Sequence, residues 1–249
     1  MRTSLGLMFG LALALWPIAK PQAAELQVLA GAGIAAPLRE IAAQFENTSG
    51  HKLVIRFGTT PELIKMAASG PFDLGVVPVD VFRDAPTRTQ FAPEPTRDVA
   101  RVGIGVAVRS GAPKPDISTP EALKQTLLKA RAVASIPASA TGTLLSGIYE
   151  RLGIAEEMKA KTKAQPGPAQ ITEAVVKGDA DLAVFLTNVL TDPRLDMVGP
   201  FPAEIQREVV YQTGVATSSK EPEAAKAFIA HLLSPAAATV IKSKGMTPG

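Results

Sequence analysis

Cysteine is absent from the 249-residue chain, which holds only two histidines, two tyrosines and one tryptophan. Without cysteine the chain can form no disulfide, no thiolate metal site and no cysteine nucleophile. The sequence also lacks HExxH, GxSxG, P-loop lysine and EF-hand motifs. Its histidines, His51 and His231, have no second metal ligand nearby in sequence, and we expect both on the surface. These absences predict a protein that is not an enzyme and that carries no metal or cofactor.

Charge is scarce as well, with 20% of residues charged and 46% hydrophobic, so the chain can bury a core. The formal net charge of +3 includes Arg2 and Lys20, and it falls to +1 (3 − 2) if the N-terminal segment that contains both is removed. The sequence has no basic cluster of the kind that follows a phosphate backbone. We therefore expect no nucleic-acid partner.

Residues 1–24 are typical of a cleavable signal peptide. MRTS carries a positive charge, LGLMFGLALALWPIA is a short apolar run, and KPQAA supplies small residues before Glu25. The apolar run is short for a membrane span, and a retained N-terminal anchor is the alternative interpretation. A lipid-attachment cysteine is missing, so we predict a soluble periplasmic monomer that is not a lipoprotein.

Strand and helix patterns alternate along the remaining chain. Apolar runs predict strands at 26–31, 51–57, 72–80, 99–111, 131–136, 181–186, 195–202 and 207–219. Helical periodicity and capping residues predict helices that begin near Pro37 and at 59–70, 120–130, 142–152, 155–160, 169–177, 221–233 and 235–244. This alternation favours parallel sheets with helices on both faces.

The two long strands, 99–111 and 207–219, divide the alternation into two halves. We predict an α/β protein of two lobes with mixed, mainly parallel sheets, joined by two hinge strands. Lobe 1 would comprise residues 25–104 plus 214–249, and lobe 2 residues 105–213. A single doubly wound domain is the alternative. Ligands of open α/β sheets lie beyond the carboxyl ends of the strands, so facing lobes would hold the ligand in the cleft between them.

Three loops between a strand and a helix are small and uncharged: AGAGIAAP (30–37), FGTTPEL (57–63) and IPASATGT (136–143). Helix N-termini present unpaired N–H groups and partial positive charge, which bind anions, and hydroxyls add further donors. Simpler explanations exist, because TTPE is an ordinary helix start and Gly33 suits a plain turn. The three loops together favour a binding cleft.

The order of these segments resembles the periplasmic solute-binding proteins of ABC importers, of the molybdate-binding type (type II periplasmic binding protein fold). The resemblance covers the chain after the signal peptide. It is carried by residues 26–80, ATGTLLSGIYERLGI (140–154), GDADLAVFLTNVL (178–190) and AAKAFIAHLLSPAAATVIKSKGMTP (224–248). It implies a tetrahedral oxyanion held by hydroxyls and backbone N–H groups, usually without a formal positive charge.

Carried over by position, the resemblance implies eleven ligand-binding residues: Ala32, Gly33, Thr59, Thr60, Ser139, Thr141, Gly142, Thr143, Leu186, Thr187 and Asn188. Gly33 stands where the family has a serine, and Leu186 where a tyrosine hydroxyl often reaches the ligand. Thr187 and Asn188 are candidates to compensate. Each hydrogen bond lost to a charged ligand matters by about 1.5–3 kcal/mol. A serine at position 33 is therefore expected to strengthen molybdate binding if the site is an oxyanion site that has lost contacts.

The resemblance implies that the protein captures a small ligand for an ABC transporter permease in the inner membrane. Molybdate or a related oxyanion is the first ligand class, and a small organic acid is the alternative. A sensing or partner-presenting module with the same fold is a second functional hypothesis.

Overall fold

The computed structural model describes residues 23–249, so the predicted signal peptide lies outside the described residues apart from its last two positions. The strands are β1 (Glu25–Gly31), β2 (Lys52–Gly58), β3 (Leu74–Pro78), β4 (Arg97–Arg109), β5 (Val133–Ser135), β6 (Thr162–Ala164), β7 (Leu182–Leu186), β8 (Leu195–Pro200), β9 (Glu208–Val215) and β10 (Thr247–Pro248). The α-helices are α1 (Ala35–Ser49), α2 (Thr60–Ser69), α3 (Val79–Arg83), α4 (Ala85–Arg88), α5 (Pro120–Lys129), α6 (Ala140–Leu152), α7 (Ala155–Lys161), α8 (Pro168–Val176), α9 (Pro222–Leu232) and α10 (Pro235–Ser243).

Ten strands form one connected sheet with the order β2-β1-β3-β9-β4-β7-β5-β6, and β8 and β10 also pair with β4. In lobe 1, β1 runs parallel to β2 and to β3. In lobe 2, β5 runs parallel to β6 and to β7. Antiparallel pairs surround β4 and β9 in the middle of the sheet. The predicted fold of two α/β lobes joined by two long strands is confirmed.

Strand β4 belongs to both lobes. Its first half, Arg97–Gly103, pairs with β9, while Ile104–Ala107 pairs with β7 in the other lobe. The side chain of Gln206 braces this change of partner, because its amide accepts from the Ile104 N–H at 3.0 Å and donates to the Ile104 carbonyl at 2.9 Å. β9 pairs with β3 and β4. The lobe boundaries at 104/105 and 213/214 stay a prediction.

Apolar helix faces hold the helices onto the sheet. Helix α1 buries Leu38, Ile41 and Phe45, and the Phe45 ring lies 5.0 Å from that of Phe228 on α9. Gly50 ends α1 in the left-handed conformation, with φ of 78°, which glycine adopts without strain. Among the described residues no single helix is long and apolar enough to cross a membrane, although α9 and α10, bent by 59°, meet that test when counted together.

Several details differ from the sequence-based predictions, and strands β6 and β10 were not among the predicted strands. The strand predicted at 72–80 covers only Leu74–Pro78, and the Pro-rich region after it contains the short helices α3 and α4. The histidines are half-buried rather than on the surface. Both flank the Phe45 ring, with centroid distances of 5.8 Å for His51 and 5.6 Å for His231. Both rings pack on Phe45, and His51 Nδ1 also accepts from the Ala24 N–H at 3.0 Å, which a sequence position alone does not reveal.

Candidate functional site

The three predicted loops meet at one narrow cavity between the lobes. Its volume is about 30 Å³, room for roughly two water molecules. The lining residues are uncharged, and they are Gly31, Ala32, Gly33, Gly58, Thr59, Thr60, Pro78, Ile136, Ser139, Ala140, Thr141, Pro168, Phe185, Leu186 and Tyr211. The cavity therefore offers hydroxyls and main-chain groups beside an apolar wall.

The loop after β1 turns tightly beneath Tyr211. A 3-10 turn, Ala32–Ile34, follows β1 directly, and Tyr211 on β9 is only 2% exposed. A Cβ atom built on Gly33 would lie 2.3 Å from the Tyr211 hydroxyl oxygen and 2.6 Å from Leu186 Cδ1. Real Cβ atoms do not approach neighbours so closely. The serine considered for position 33 therefore has no room while Tyr211 and Leu186 keep these positions.

Burial controls the protonation of Tyr211. Removal from water disfavours the phenolate, and this desolvation raises the pKa of Tyr211 well above its usual value. The hydroxyl therefore keeps its proton across the physiological range and can act as a neutral donor.

At the start of α2, the two threonines differ in whether the hydroxyl already has a hydrogen-bond partner. The Thr59 N–H and hydroxyl both donate to the Glu62 carboxylate, at 2.7 and 2.9 Å, in a capping arrangement. The Thr60 hydroxyl is buried and has no hydrogen-bond partner among the described residues. An unpaired buried hydroxyl costs about 1–3 kcal/mol, so Thr60 is the threonine with an unused donor.

At the start of α6, Ser139 is committed to holding the helix. Its hydroxyl donates to the Ile136 carbonyl at 2.6 Å and accepts from the Gly142 N–H at 3.1 Å. Gly142 packs against backbone, since a Cβ atom there would lie 2.1 Å from the Pro137 carbonyl oxygen. Thr141, 2% exposed, faces the cavity lining. The first N–H groups of α6 remain as potential donors.

The segment after β7 joins the lobes. Asn188 Nδ2 donates to the Gly33 carbonyl at 2.8 Å, across 155 residues of sequence. Its Oδ1 is buried and has no partner among the described residues. The Thr187 N–H donates to the Gly103 carbonyl on β4 at 3.0 Å. Asn188 thus fastens lobe 2 to the turn that lines the cavity.

Comparison with known families accounts for this arrangement. Residues 26–247 match the family model described as bacterial extracellular solute-binding protein. The chain belongs to this family. Two α/β lobes that enclose an uncharged cleft are thus the scaffold of a solute-binding protein of the ABC-transporter type.

Relatives of this solute-binding protein differ in their ligands. The chain is 34% identical to an aconitate isomerase from a Pseudomonas species, over 90% of this chain and 87% of that protein. It is 28% identical to the molybdate-binding protein ModA of Azotobacter vinelandii, over 90% of each chain. The solved periplasmic molybdate-binding protein of Azotobacter vinelandii superposes with a TM-score of 0.72 at 18% identity, covering 90% of this chain and 99% of that one. At that identity the superposition supports the fold alone.

Family membership confirms the coarser sequence-based expectations. A solute-binding protein of this family binds a ligand and has an ABC transporter permease as partner. Its location is extracytoplasmic. The ligand itself is not given by the family.

The structure brings seven of the eleven predicted site residues to the cavity: Ala32, Gly33, Thr59, Thr60, Ser139, Thr141 and Leu186. The other four do not line it. Thr143 is exposed, Gly142 packs behind the α6 N-terminus, Thr187 packs on β4, and Asn188 spans the lobes. Their assignment as ligand-binding residues stays a prediction.

Sequence reasoning missed Tyr211. The residue lies inside an alternating strand, where a buried tyrosine resembles ordinary core. The available signal was its rarity, because the chain has two tyrosines and this one lies on a long strand that returns between the lobes. Phe185 was missed as well, because it lies in the fully buried strand β7, whereas Ile136 begins the third predicted loop.

Two larger depressions lie on lobe 2. One, of about 820 Å³, is bordered by α5 and by the Arg131–Asp181 ion pair. The other, of about 430 Å³, lies between α6 and α7. The second depression shares Pro137 and Gly142 with the third loop, but Gly33, Thr59 and Thr60 line neither depression. The interlobe cavity, where all three loops meet, is therefore the candidate site. Within residues 23–249 no group of three or more His, Asp or Glu side chains is placed to hold a metal.

Proposed function

We propose that the protein captures a small oxyanion, molybdate or a close relative, in the interlobe cavity, which must widen beyond its present volume of about 30 Å³ to admit it, and presents it to an ABC transporter permease. One observation carries the proposal: the N-termini of α2 and α6, an unpaired Thr60 hydroxyl and the Tyr211 hydroxyl converge on a cavity that no charged side chain lines. Helix N-termini and neutral donors are sufficient to bind an anion. The proposal includes a periplasmic monomer, released after cleavage of residues 1–24, without a nucleic-acid partner.

The direct test is isothermal titration of residues 25–249 with molybdate, tungstate and sulfate. We expect at least one of these anions to bind and to raise the melting temperature, because a ligand that binds only the folded state stabilises it. Thr60→Val should weaken that binding by about 1.5–3 kcal/mol, the value of a hydrogen bond to a charged group. Thr239→Val, on the exposed face of α10, is the matched control and should bind like the wild type. No binding of any oxyanion would refute the proposal.

A small organic acid is the second candidate ligand. The 34% identical relative is named for aconitate, and Ile136, Phe185 and Leu186 give the cavity an apolar wall suited to a carbon skeleton. The same titration with cis-aconitate and citrate separates the candidates. A carboxylate that binds while every oxyanion fails would establish this second candidate.

We propose binding without turnover. Among the residues that line the cavity, Tyr211 is the one titratable side chain, and burial holds it protonated, so no general base faces the ligand. Proton NMR of cis-aconitate incubated with the protein should show no conversion. Conversion that is abolished by Tyr211→Phe would instead assign the chain an isomerase activity.

A further inference from the structure

We infer that the Tyr211 hydroxyl donates a hydrogen bond to an oxygen of the bound anion and takes the place of a side-chain donor at position 33, which is glycine. We call this replacement the exchange. The inference rests on the proposed function and adds a residue to it. Its basis is a coincidence of position, since the Tyr211 oxygen lies 2.3 Å from where the Cβ atom of residue 33 would be. A side chain at position 33 and the Tyr211 hydroxyl therefore exclude each other.

The Tyr211 side chain is held where a ligand donor needs to be. Its backbone pairs with Pro78 on β3 and with Ala100 on β4, so two neighbouring strands fix it at the centre of the sheet. Its ring lies against Gly31, where a Cβ atom would be 2.6 Å from Cε1. Two glycines in the same turn make room for one tyrosine. A donor with a fixed position loses little conformational entropy on binding.

The Tyr211 hydroxyl is also uncommitted. The structure gives it no hydrogen-bond partner among the described residues, and the residue lines the interlobe cavity. Its pKa is raised by burial alone, with no hydrogen bond contributing. A protonated hydroxyl that belongs to a buried residue and lines the cavity beside a helix N-terminus is a suitable donor for an anion oxygen.

The test is a double-mutant cycle on residues 25–249, with molybdate and cis-aconitate as the two titrants. Whichever titrant the wild type binds, Tyr211→Phe should lower its affinity roughly tenfold to hundredfold, the effect of losing one hydrogen bond to a charged group. Gly33→Ser should also weaken it, because the serine clashes with the tyrosine. The double variant should bind more tightly than either single variant, since the clash with the tyrosine oxygen is gone and the serine supplies the donor once the flexible end of Leu186, 2.6 Å from the added Cβ, shifts. Tyr149→Phe, which removes the other tyrosine hydroxyl, in lobe 2, should change nothing.

A second readout needs no ligand. Gly33→Ala should lower the midpoint of urea unfolding, and adding Tyr211→Phe should recover part of the loss, because the nearest ring carbon, Cζ, is 3.5 Å from the added Cβ. Comparison of the single and the double variant tests the clash between position 33 and Tyr211 even if the Gly33→Ser variant does not fold.

The outcomes separate the two proposals. Wild-type protein that binds neither titrant would overturn the proposed function, and the donor assignment with it. Wild-type protein that binds one titrant, with Tyr211→Phe equally tight, would overturn the exchange alone. Tighter binding by Gly33→Ser with Tyr211 in place would also overturn the exchange, since it would show that both hydroxyls fit together.

Discussion

At the scale of single residues, two glycines of α6, Gly142 and Gly147, differ in how much space surrounds them. A Cβ atom on Gly142 would lie 2.1 Å from the Pro137 carbonyl oxygen and 2.5 Å from its carbonyl carbon, and both are backbone atoms that cannot turn aside. Gly147, one and a half turns later, is exposed and has no neighbour within 4 Å of such a position. The first glycine is required by packing, and the second is not.

Gly142→Ala should therefore destabilise the protein by about 1–3 kcal/mol, the usual cost of overpacking. Gly147→Ala should stabilise it by about 0.4–1 kcal/mol, because alanine loses less conformational entropy in a helix. Urea unfolding of both variants measures the contrast. Equal stability of the two would contradict the tight packing of the α6 N-terminus on the loop before it.

Among the elements, strand β4 passes from one lobe to the other, and the Gln206 side chain braces it at that point. Gln206 bonds both main-chain groups of Ile104, at the residue where β4 changes from β9 to β7. The Ile104 carbonyl also accepts from the Phe201 N–H at 2.9 Å, so the N–H is the group that depends on Gln206.

Gln206→Ala should lower the free energy of unfolding by about 1–3 kcal/mol, since it leaves a buried N–H unpaired. The matched control is Gln125→Ala on α5, which removes only a surface bond to Glu121 and should change stability by no more than about 0.5 kcal/mol. Chemical denaturation of both variants gives the comparison. A loss for Gln206→Ala no greater than that for Gln125→Ala would show that the crossing holds without the brace.

Elements were also the part of the structure that the sequence predicted best. Apolar periodicity located β1, β2, β9 and the helices near their observed bounds, because burial on one face leaves a local pattern. The short helices α3 and α4 were missed, since prolines hid their periodicity. The site was predicted only in part. Loop composition located Thr60 and Gly33, whereas Tyr211 reaches the cavity through pairing between distant strands, which no local pattern encodes.

For the whole molecule, the bond from Asn188 to the Gly33 carbonyl links the lobes across the cavity. Asn188→Ala removes it. We expect the lobes to open and close about β4 and β9, and loss of one hydrogen bond should shift that equilibrium roughly two- to tenfold towards the open form. Small-angle X-ray scattering without ligand should then give a larger radius of gyration than for the wild type.

Asn47→Ala, on an exposed position of α1, is the matched control and should leave the scattering curve unchanged. An Asn188→Ala curve that superposes on the wild-type curve would mean that other contacts, such as that of Leu186 with Gly33, hold the lobes together.

The uncharged lining of the cavity has an electrophoretic consequence. Because the one titratable side chain that lines the cleft, Tyr211, stays protonated, binding an anion there would release or take up no proton, and the filled molecule would carry the anion's full charge in addition to its own. Loaded and empty protein would then differ in isoelectric point. Native focusing gels would separate the two populations without any label, with the loaded protein at the lower isoelectric point.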